Sequence, residues 1–147
     1  MKADNEFRMV IESRSVNEGF ARAVVAAFAS QTDLNIEELS DIKTAVSEAV
    51  TNCIVHAYPD TVGKIYITAG IYSGFRIRIK IRDCGCGIAD VKKAREPLYT
   101  SLGGDRAGLG FSVMESFTDK LSVRSAPGKG TSVTMEKIIA GRPGHEK

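Results

Sequence analysis

Phe75-Arg-Ile-Arg-Ile-Lys-Ile-Arg82 alternates apolar and basic side chains without a break and runs straight into Asp83. A period of two places Phe75, Ile77, Ile79 and Ile81 on one face of a strand and Arg76, Arg78, Lys80 and Arg82 on the other. Such a strand belongs in a sheet that is covered on one side and wet on the other. Immediately before it, Lys64–Tyr72 reads as a second strand, and Ser73-Gly74 between them predicts a hairpin.

Outward from this pair the periodicity changes. Phe7 to Glu12 reads as an opening strand. Ser15 with Glu18 three residues later has the pattern of a capping box, predicting a helix to about Gln31 with Phe20, Val24, Ala27 and Phe28 on its buried side. A second helix is expected from about Glu37 to Ala57. Its apolar positions Leu39, Ile42, Val46, Ala49, Val50, Cys53 and Ala57 recur at steps of three and four, and Pro59-Asp60 stops it. Beyond Asp83 the pattern weakens. A short helix around Asp90–Ala94 is followed by Pro97 and a polar, glycine-containing loop from Thr100 to Ala107, of the kind that serves as a lid. Leu109–Phe117 predicts a third sizeable helix, and Leu121–Ser125 with Thr131–Ile138 a closing hairpin around Pro127-Gly-Lys-Gly130. The sum is an α+β fold, a two-layer α/β sandwich with a mixed, mostly antiparallel sheet and helices on one face. Residues 1–147 read as a single domain, with 141–147 a frayed polar tail.

The bulk numbers exclude several classes. A formal charge of +2 over 147 residues, with no basic run, argues against direct nucleic-acid binding. The most apolar stretch, Ala21 to Ala29, contains Arg22 and is far too short to span a bilayer, so no membrane association is expected. The N-terminus lacks the apolar core of a signal peptide, and three cysteines, an odd count, favour reduced thiols and a cytoplasmic protein. Cys84 and Cys86 form a C-x-C pair. With no second pair, and with His56 and His145 remote, it reads as small residues in a tight loop rather than a zinc site.

Three short segments carry chemistry. On the second helix, about 100° per residue places Glu48 and Asn52, one turn apart, roughly opposite the apolar stripe. An isolated pair of this kind also suits a plain solvated face. In a groove, Glu48 can orient or deprotonate an attacking hydroxyl and Asn52 can offer an oxygen to Mg²⁺. In Asp83-Cys-Gly-Cys-Gly87, Asp83 can accept from an exocyclic amine while Gly85 and Gly87 let a flat base approach, though the same residues make an ordinary turn. Gly108-Leu-Gly110 at a helix start can present backbone N–H groups to an anion, and Gly128-Lys-Gly-Thr131 reads as a hairpin turn.

Taken in order, Glu48-x-x-x-Asn52, Asp83-x-Gly-x-Gly87, Gly108-x-Gly110 and Gly128-x-Gly-Thr131 resemble the GHKL ATPase superfamily, which includes gyrase and histidine kinases. Within it, Phe20-Ala-Arg-Ala-Val-Val-Ala-Ala-Phe28, Val46-Ser-Glu-Ala-Val-Thr-Asn52 and His56-Ala-Tyr58 resemble the anti-sigma-F factors, serine kinases of endospore-forming bacteria. The resemblance runs from Phe7 to Ile138 and implies a Bergerat-type ATP-binding fold. It also implies a homodimer that binds ATP with Mg²⁺, holds a sporulation sigma factor of the sigma-F type, and phosphorylates a serine of an anti-anti-sigma factor. By position, Glu48 would be the catalytic base and Asn52 the Mg²⁺ ligand. Asp83 would read adenine, with Gly87 and Thr131 beside it. Thr100, Ser101, Arg106, Gly108, Leu109 and Gly110 would close over the phosphates, and Arg22 with Glu18 would meet the partner. The first strand and helix would lie near the dimer interface. Two features depart from the family: Cys84 and Cys86, which could sensitise the site to oxidation, and Gly103-Gly104 in the lid. A stress-response anti-sigma kinase, a histidine-kinase catalytic domain and a non-catalytic, nucleotide-gated binding module are the competing readings.

Overall fold

A computed structural model describes residues 2–95 and 110–139. The chain runs β1 (Asn5–Glu12), α1 (Val16–Ala29), α2 (Ile36–Asn52), a π-helical turn (Cys53–Ala57), β2 (Lys64–Tyr72), β3 (Arg76–Asp83), α3 (Val91–Ala94), α4 (Phe111–Ser116), β4 (Lys120–Ser125) and β5 (Thr131–Ile138). One five-stranded sheet has the order β1-β2-β3-β5-β4, and every neighbouring pair is antiparallel. The parallel component expected of a mixed sheet is not seen among the described residues. The lid residues Thr100, Ser101, Arg106, Gly108 and Leu109, and the tail from 141, lie outside the described residues.

Register aligns the alternation of β3 with its neighbours: Ile81 opposes Ile67 and Val133, and Ile79 opposes Ala69 and Met135. These side chains are buried beneath α1, α2 and α4, forming with Ile42, Val46, Val50 and Phe111 one continuous core. Fully burying each such isoleucine is worth about 1.5–3 kcal/mol, so this row of aliphatics dominates the fold's stability. The opposite face stays open. There Arg78 pairs with Glu136 at 2.9 Å and lies over the Tyr72 ring, while Arg82 lies over Tyr66. The β2–β3 turn, Ser73 to Phe75 between the paired Tyr72 and Arg76, adopts positive φ at Ser73 (57°) and Gly74 (77°), which suits the right-handed twist of the hairpin.

Four sequence expectations are corrected. Phe20 is 53 % exposed and Ala27 is exposed, whereas Ala21, Val25, Phe28 and Ala29 face the sheet. The segment from Phe20 to Ala29 is apolar on two adjacent stripes about 100° apart, and periodicity alone does not choose between them. Ser15 makes no side-chain cap, because its own backbone is helical (φ −56°, ψ −32°) rather than extended, and Glu18 turns to Arg22, 2.6 Å away. Phe75 stands in the turn, before β3 begins. The third helix is only six residues long, Phe111–Ser116.

The capping box of this protein is at α2. Asn35 Oδ1 accepts from Glu38 N at 2.7 Å, and Glu38 Oε1 accepts from Asn35 N at 2.9 Å. Asn35→Ala removes it and is expected to cost about 1 kcal/mol, or about 2–4 °C in Tm for a chain of this size, read by thermal melting.

Candidate functional site

Asp83 ends β3 on the same face as Ile77, Ile79 and Ile81, so the alternation of the strand carries a carboxylate into the layer between sheet and helices, where it is 5 % exposed. A buried carboxylate must be hydrogen-bonded or it destabilises the fold. Oδ1 accepts from Gly85 N at 2.9 Å and Thr131 N at 3.2 Å, and Oδ2 accepts from Cys53 Sγ at 3.5 Å. Burial first, then the charge and hydrogen bond of Asp83, push the Cys53 thiol well up, so it remains a protonated donor. Oδ2, with the single long thiol contact, is the oxygen with capacity for a further donor.

Asn52, Asp83, Gly87 and Thr131, distant in sequence, line one cleft. Its walls are Ala49, Ala57, Ile81, Ile88, Phe111 and Val133, with Cys53 and His56 completing the lining. Apolar walls around a few polar groups suit a flat heteroaromatic ring. Gly85 is not in that lining. Its role is structural: a Cβ there would overlap the Ala57 carbonyl, so only glycine lets the turn lie against the end of the α2 extension and direct its N–H at Asp83.

The π-helical turn at Cys53–Ala57 widens the end of α2, with Tyr58 N bonding back to Cys53 O at 3.1 Å. Single π turns of this kind recur at functional sites. Here the turn presents the Ala57 carbonyl to Cys86 N at 3.1 Å. Tyr58 continues the tie: its hydroxyl accepts from Cys84 N at 2.7 Å and donates to Lys64 O at 2.8 Å. Burial pushes its phenol up, against the lowering effect of the Cys84 N–H.

Glu48 lies one turn before Asn52 on α2, and its carboxylate meets Gly110. Gly110 caps α4 at φ 66°, where a Cβ would both strain the backbone and overlap Glu48 Oε1. Burial raises the pKa of Glu48 above its ordinary value. On the outer side, a groove bounded by Arg22, Ile36, Leu39, Ser40, Lys43, Thr44 and Ser47 ends at Glu48. Arg22 Nη1 donates there to Glu18 Oε2 at 2.6 Å and to Ser47 Oγ at 3.1 Å. The structure thus brings Glu48 beside Gly110, gathers Asn52, Asp83, Gly87 and Thr131 in one cleft, and places Arg22 in the outer groove, bonded to Ser47 next to Glu48, with Glu18 paired to it.

Sequence reasoning missed Cys53, Tyr58, Ile88 and Phe111 and gave His56 no role. Cys53 and Phe111 carry only an apolar signal, and nothing local connects Cys53 with a carboxylate 30 residues on. The Tyr58 hydroxyl is visible as a requirement only once the turn after Asp83 is in place.

This sheet, with its helices on one face and its cleft between α2 and the ends of β3 and β5, is that of a histidine kinase-like ATPase domain, whose family model matches residues 11–137. In the crystal structure of the RsbU and RsbW domains of a Mycobacterium tuberculosis protein, a region superposes with TM-score 0.66 at 16% identity, covering 92% of this chain and 32% of that one, which shows the fold. Anti-sigma F factor of a Thermoanaerobacter species is 55% identical over 140 residues, 95% of this chain and 97% of the relative. That of Clostridium perfringens is 50% identical over 135 residues, 91% of this chain and 96% of the relative. The chain belongs to the anti-sigma F factor family within the histidine kinase-like ATPases. Among the described residues, no helix is long and apolar enough to cross a membrane.

Proposed function

We propose that this protein, as a single domain over residues 1–147, binds ATP with Mg²⁺, sequesters a sporulation sigma factor of the sigma-F type, and transfers phosphoryl to a serine of an anti-anti-sigma factor. The observation that carries the reading is the junction of two features. A cleft suited to an adenine base ends at a buried Asp83, and a carboxylate with raised pKa, Glu48, stands one helical turn from Asn52.

The residues present fit these ligands. Asp83 Oδ2 can accept the adenine amine between apolar walls, with Gly87 and Thr131 at its side. No cluster of three acidic, histidine or cysteine side chains able to hold a metal exists among the described residues. Asn52 would therefore supply one oxygen, with nucleotide phosphates and water supplying the rest, a usual arrangement for Mg²⁺. The ion's contribution when bound is neutralisation of phosphate charge. Glu48 accepts the proton of the attacking serine hydroxyl, for which a raised pKa is an asset. Thr100, Ser101, Arg106, Gly108, Leu109 and Gly110 are assigned to closure over the phosphates by their place in the sequence motif.

The outer groove supports the partner role. It joins Arg22 to Glu48, so a protein anchored at Glu18 and Arg22 can extend a serine toward the base. Homodimerisation through β1 and α1 is supported by exposed apolar side chains there: Val10 at 54 %, Val16 at 78 % and Phe20 at 53 %. Direct nucleic-acid binding, membrane association and a location other than the cytoplasm are not part of the proposal.

Incubation with Mg·ATP and an anti-anti-sigma factor, followed by intact mass measurement, tests the enzyme reading: the partner gains one phosphate on serine. Tight complex formation with no mass change would favour a nucleotide-gated binding module and refute the kinase. Arg22→Ala is expected to weaken partner binding about tenfold or more, the worth of a charged hydrogen-bonding anchor, with ATP affinity unchanged. Equal partner affinity in titration calorimetry would remove that role.

A further inference from the structure

One cysteine of the chain contacts the Asp83 carboxylate and the other two stand in the turn that follows it. Cys53 Sγ donates to Asp83 Oδ2 from the end of α2, and Cys84 and Cys86 flank Gly85 in the turn that follows Asp83. Cys53 is buried, whereas Cys84 and Cys86 are exposed. We propose that Cys84 and Cys86 form an oxidative modification site, reacting with small disulfides, whose closure releases Asp83 from its working geometry. The chemistry stands on the thiol pair alone, and its effect on nucleotide rests on the function proposed above.

The two sulfurs differ in their surroundings. Arg82 Nη1 donates to Cys84 Sγ at 3.4 Å, and the Arg82 guanidinium is itself held over the Tyr66 ring, 4.1 Å from its centroid. Thiol–disulfide exchange passes through a state with negative charge spread over the participating sulfurs, which a fixed guanidinium stabilises. Cys84 therefore attacks first. Its thiolate forms a bond to one sulfur of the small disulfide, the original S–S bond breaks, and a small thiolate leaves with the electron pair. The Cys86 thiolate then attacks the Cys84 sulfur, forming the Cys84–Cys86 bond and expelling the second small thiolate. The two protons given up by the cysteines end on the two small thiols. Two cysteines are oxidised and one disulfide is reduced. Two residues span at most about 7 Å between Cα atoms, at the limit a disulfide bridges, and Gly85 between them offers the least resistance to ring closure.

Ring closure conflicts with the turn as it stands. Cys84 N is bound to the Tyr58 hydroxyl, Gly85 N to Asp83 Oδ1, and Cys86 N to Ala57 O, while Cys86 O accepts from Gly128 N at 2.6 Å. Gly85 also lies against the Ala57 carbonyl with no room for adjustment on that side. Drawing the two sulfurs together turns these peptide groups, and Asp83 loses the Gly85 donor that fixes its carboxylate. Cys53, buried with its Sγ on Asp83 Oδ2, stays outside the exchange.

The test is oxidation of the full chain with oxidised glutathione, read by intact mass and peptide mapping, then by ATP titration before and after dithiothreitol. The expected product has lost two hydrogens within the peptide carrying Cys84 and Cys86, with Cys53 still a free thiol. Its ATP affinity is lower by about tenfold or more, the value of one hydrogen bond to a charged group, and returns on reduction. The Cys84→Ser/Cys86→Ser protein binds ATP like the reduced parent and ignores the oxidant. A protein that keeps its reduced mass, or accumulates glutathione on Cys86 with Cys84 free, overturns the site. An oxidised form that binds ATP as tightly as the reduced form overturns the coupling to Asp83. Failure of the reduced parent to bind ATP refutes the nucleotide reading instead. The mass change and hydrogen exchange at residues 83–87 then decide the modification site and its effect on the turn.

Discussion

Glu48→Gln is expected to lower phosphoryl transfer by about 10²–10⁴-fold, the usual worth of a positioned general base, while nucleotide affinity changes little. The amide keeps the shape of the carboxylate against Gly110 and cannot accept a proton from serine. The same assignment fixes a pH dependence. Because burial raises the pKa of Glu48, the acid limb of transfer lies above the ordinary carboxylate range, and the rate falls as pH drops through it. The stability effect has the opposite sense. With the folded pKa above the unfolded one, the contribution of this group is fully present below the unfolded pKa and is lost as pH rises through the folded value. At neutral pH an ionised Glu48 is thus a small liability that the amide removes, and Glu48→Gln should melt no lower than the parent. Labelled-phosphate transfer and thermal melts at pH 5 and 8 read both quantities. Undiminished transfer would eliminate Glu48 as the base.

Asp83→Ala should abolish measurable ATP binding and destabilise the fold. Two backbone donors, Gly85 N and Thr131 N, and the Cys53 thiol lose their acceptor at once. Each buried donor left without a partner costs about 1–3 kcal/mol, so a loss of several kcal/mol in stability is expected. Asp83→Asn separates the two effects. Its carbonyl can still serve Gly85 and Thr131, but its NH₂ then faces the cleft, donor against donor with an adenine amine. The Asn protein should remain folded and bind ATP at least about 100-fold more weakly, as sites built for one hydrogen-bond pattern reject its inverse. Denaturant melts with nucleotide titration measure the pair. ATP affinity equal to the parent in Asp83→Asn would remove Asp83 from adenine recognition.

Much of this architecture was legible because burial imposes a period. The alternation from Ile77 to Ile81 fixed a strand, its two faces and the emergence of Asp83 at its end. The steps of three and four from Ile42 to Cys53 fixed α2 and with it the relation of Glu48 to Asn52. Legibility failed where two solutions satisfy the same pattern. On α1, Phe20 and Ala21 head equally apolar stripes, and the choice was made by the shape of the sheet beneath. The cap failed because Ser15 continues the helical backbone instead of standing extended before it, and Glu18 pairs with Arg22, four residues on. Contacts across sequence were beyond reach altogether: Cys53 with Asp83, Glu48 with Gly110 and Tyr58 with Cys84 exist only because the sheet order brings their elements together.

The π-helical turn sets a rule about length. Five residues there occupy a wider loop than regular helix geometry provides, and the Ala57 carbonyl reaches Cys86 because of it. Deleting a single residue between Asn52 and Tyr58 would tighten the coil and swing everything after it by about 100° around the axis, parting the amide side of α2 from the glycine turn it supports. The outward-facing Val55 can therefore vary, whereas the residue count of this stretch cannot.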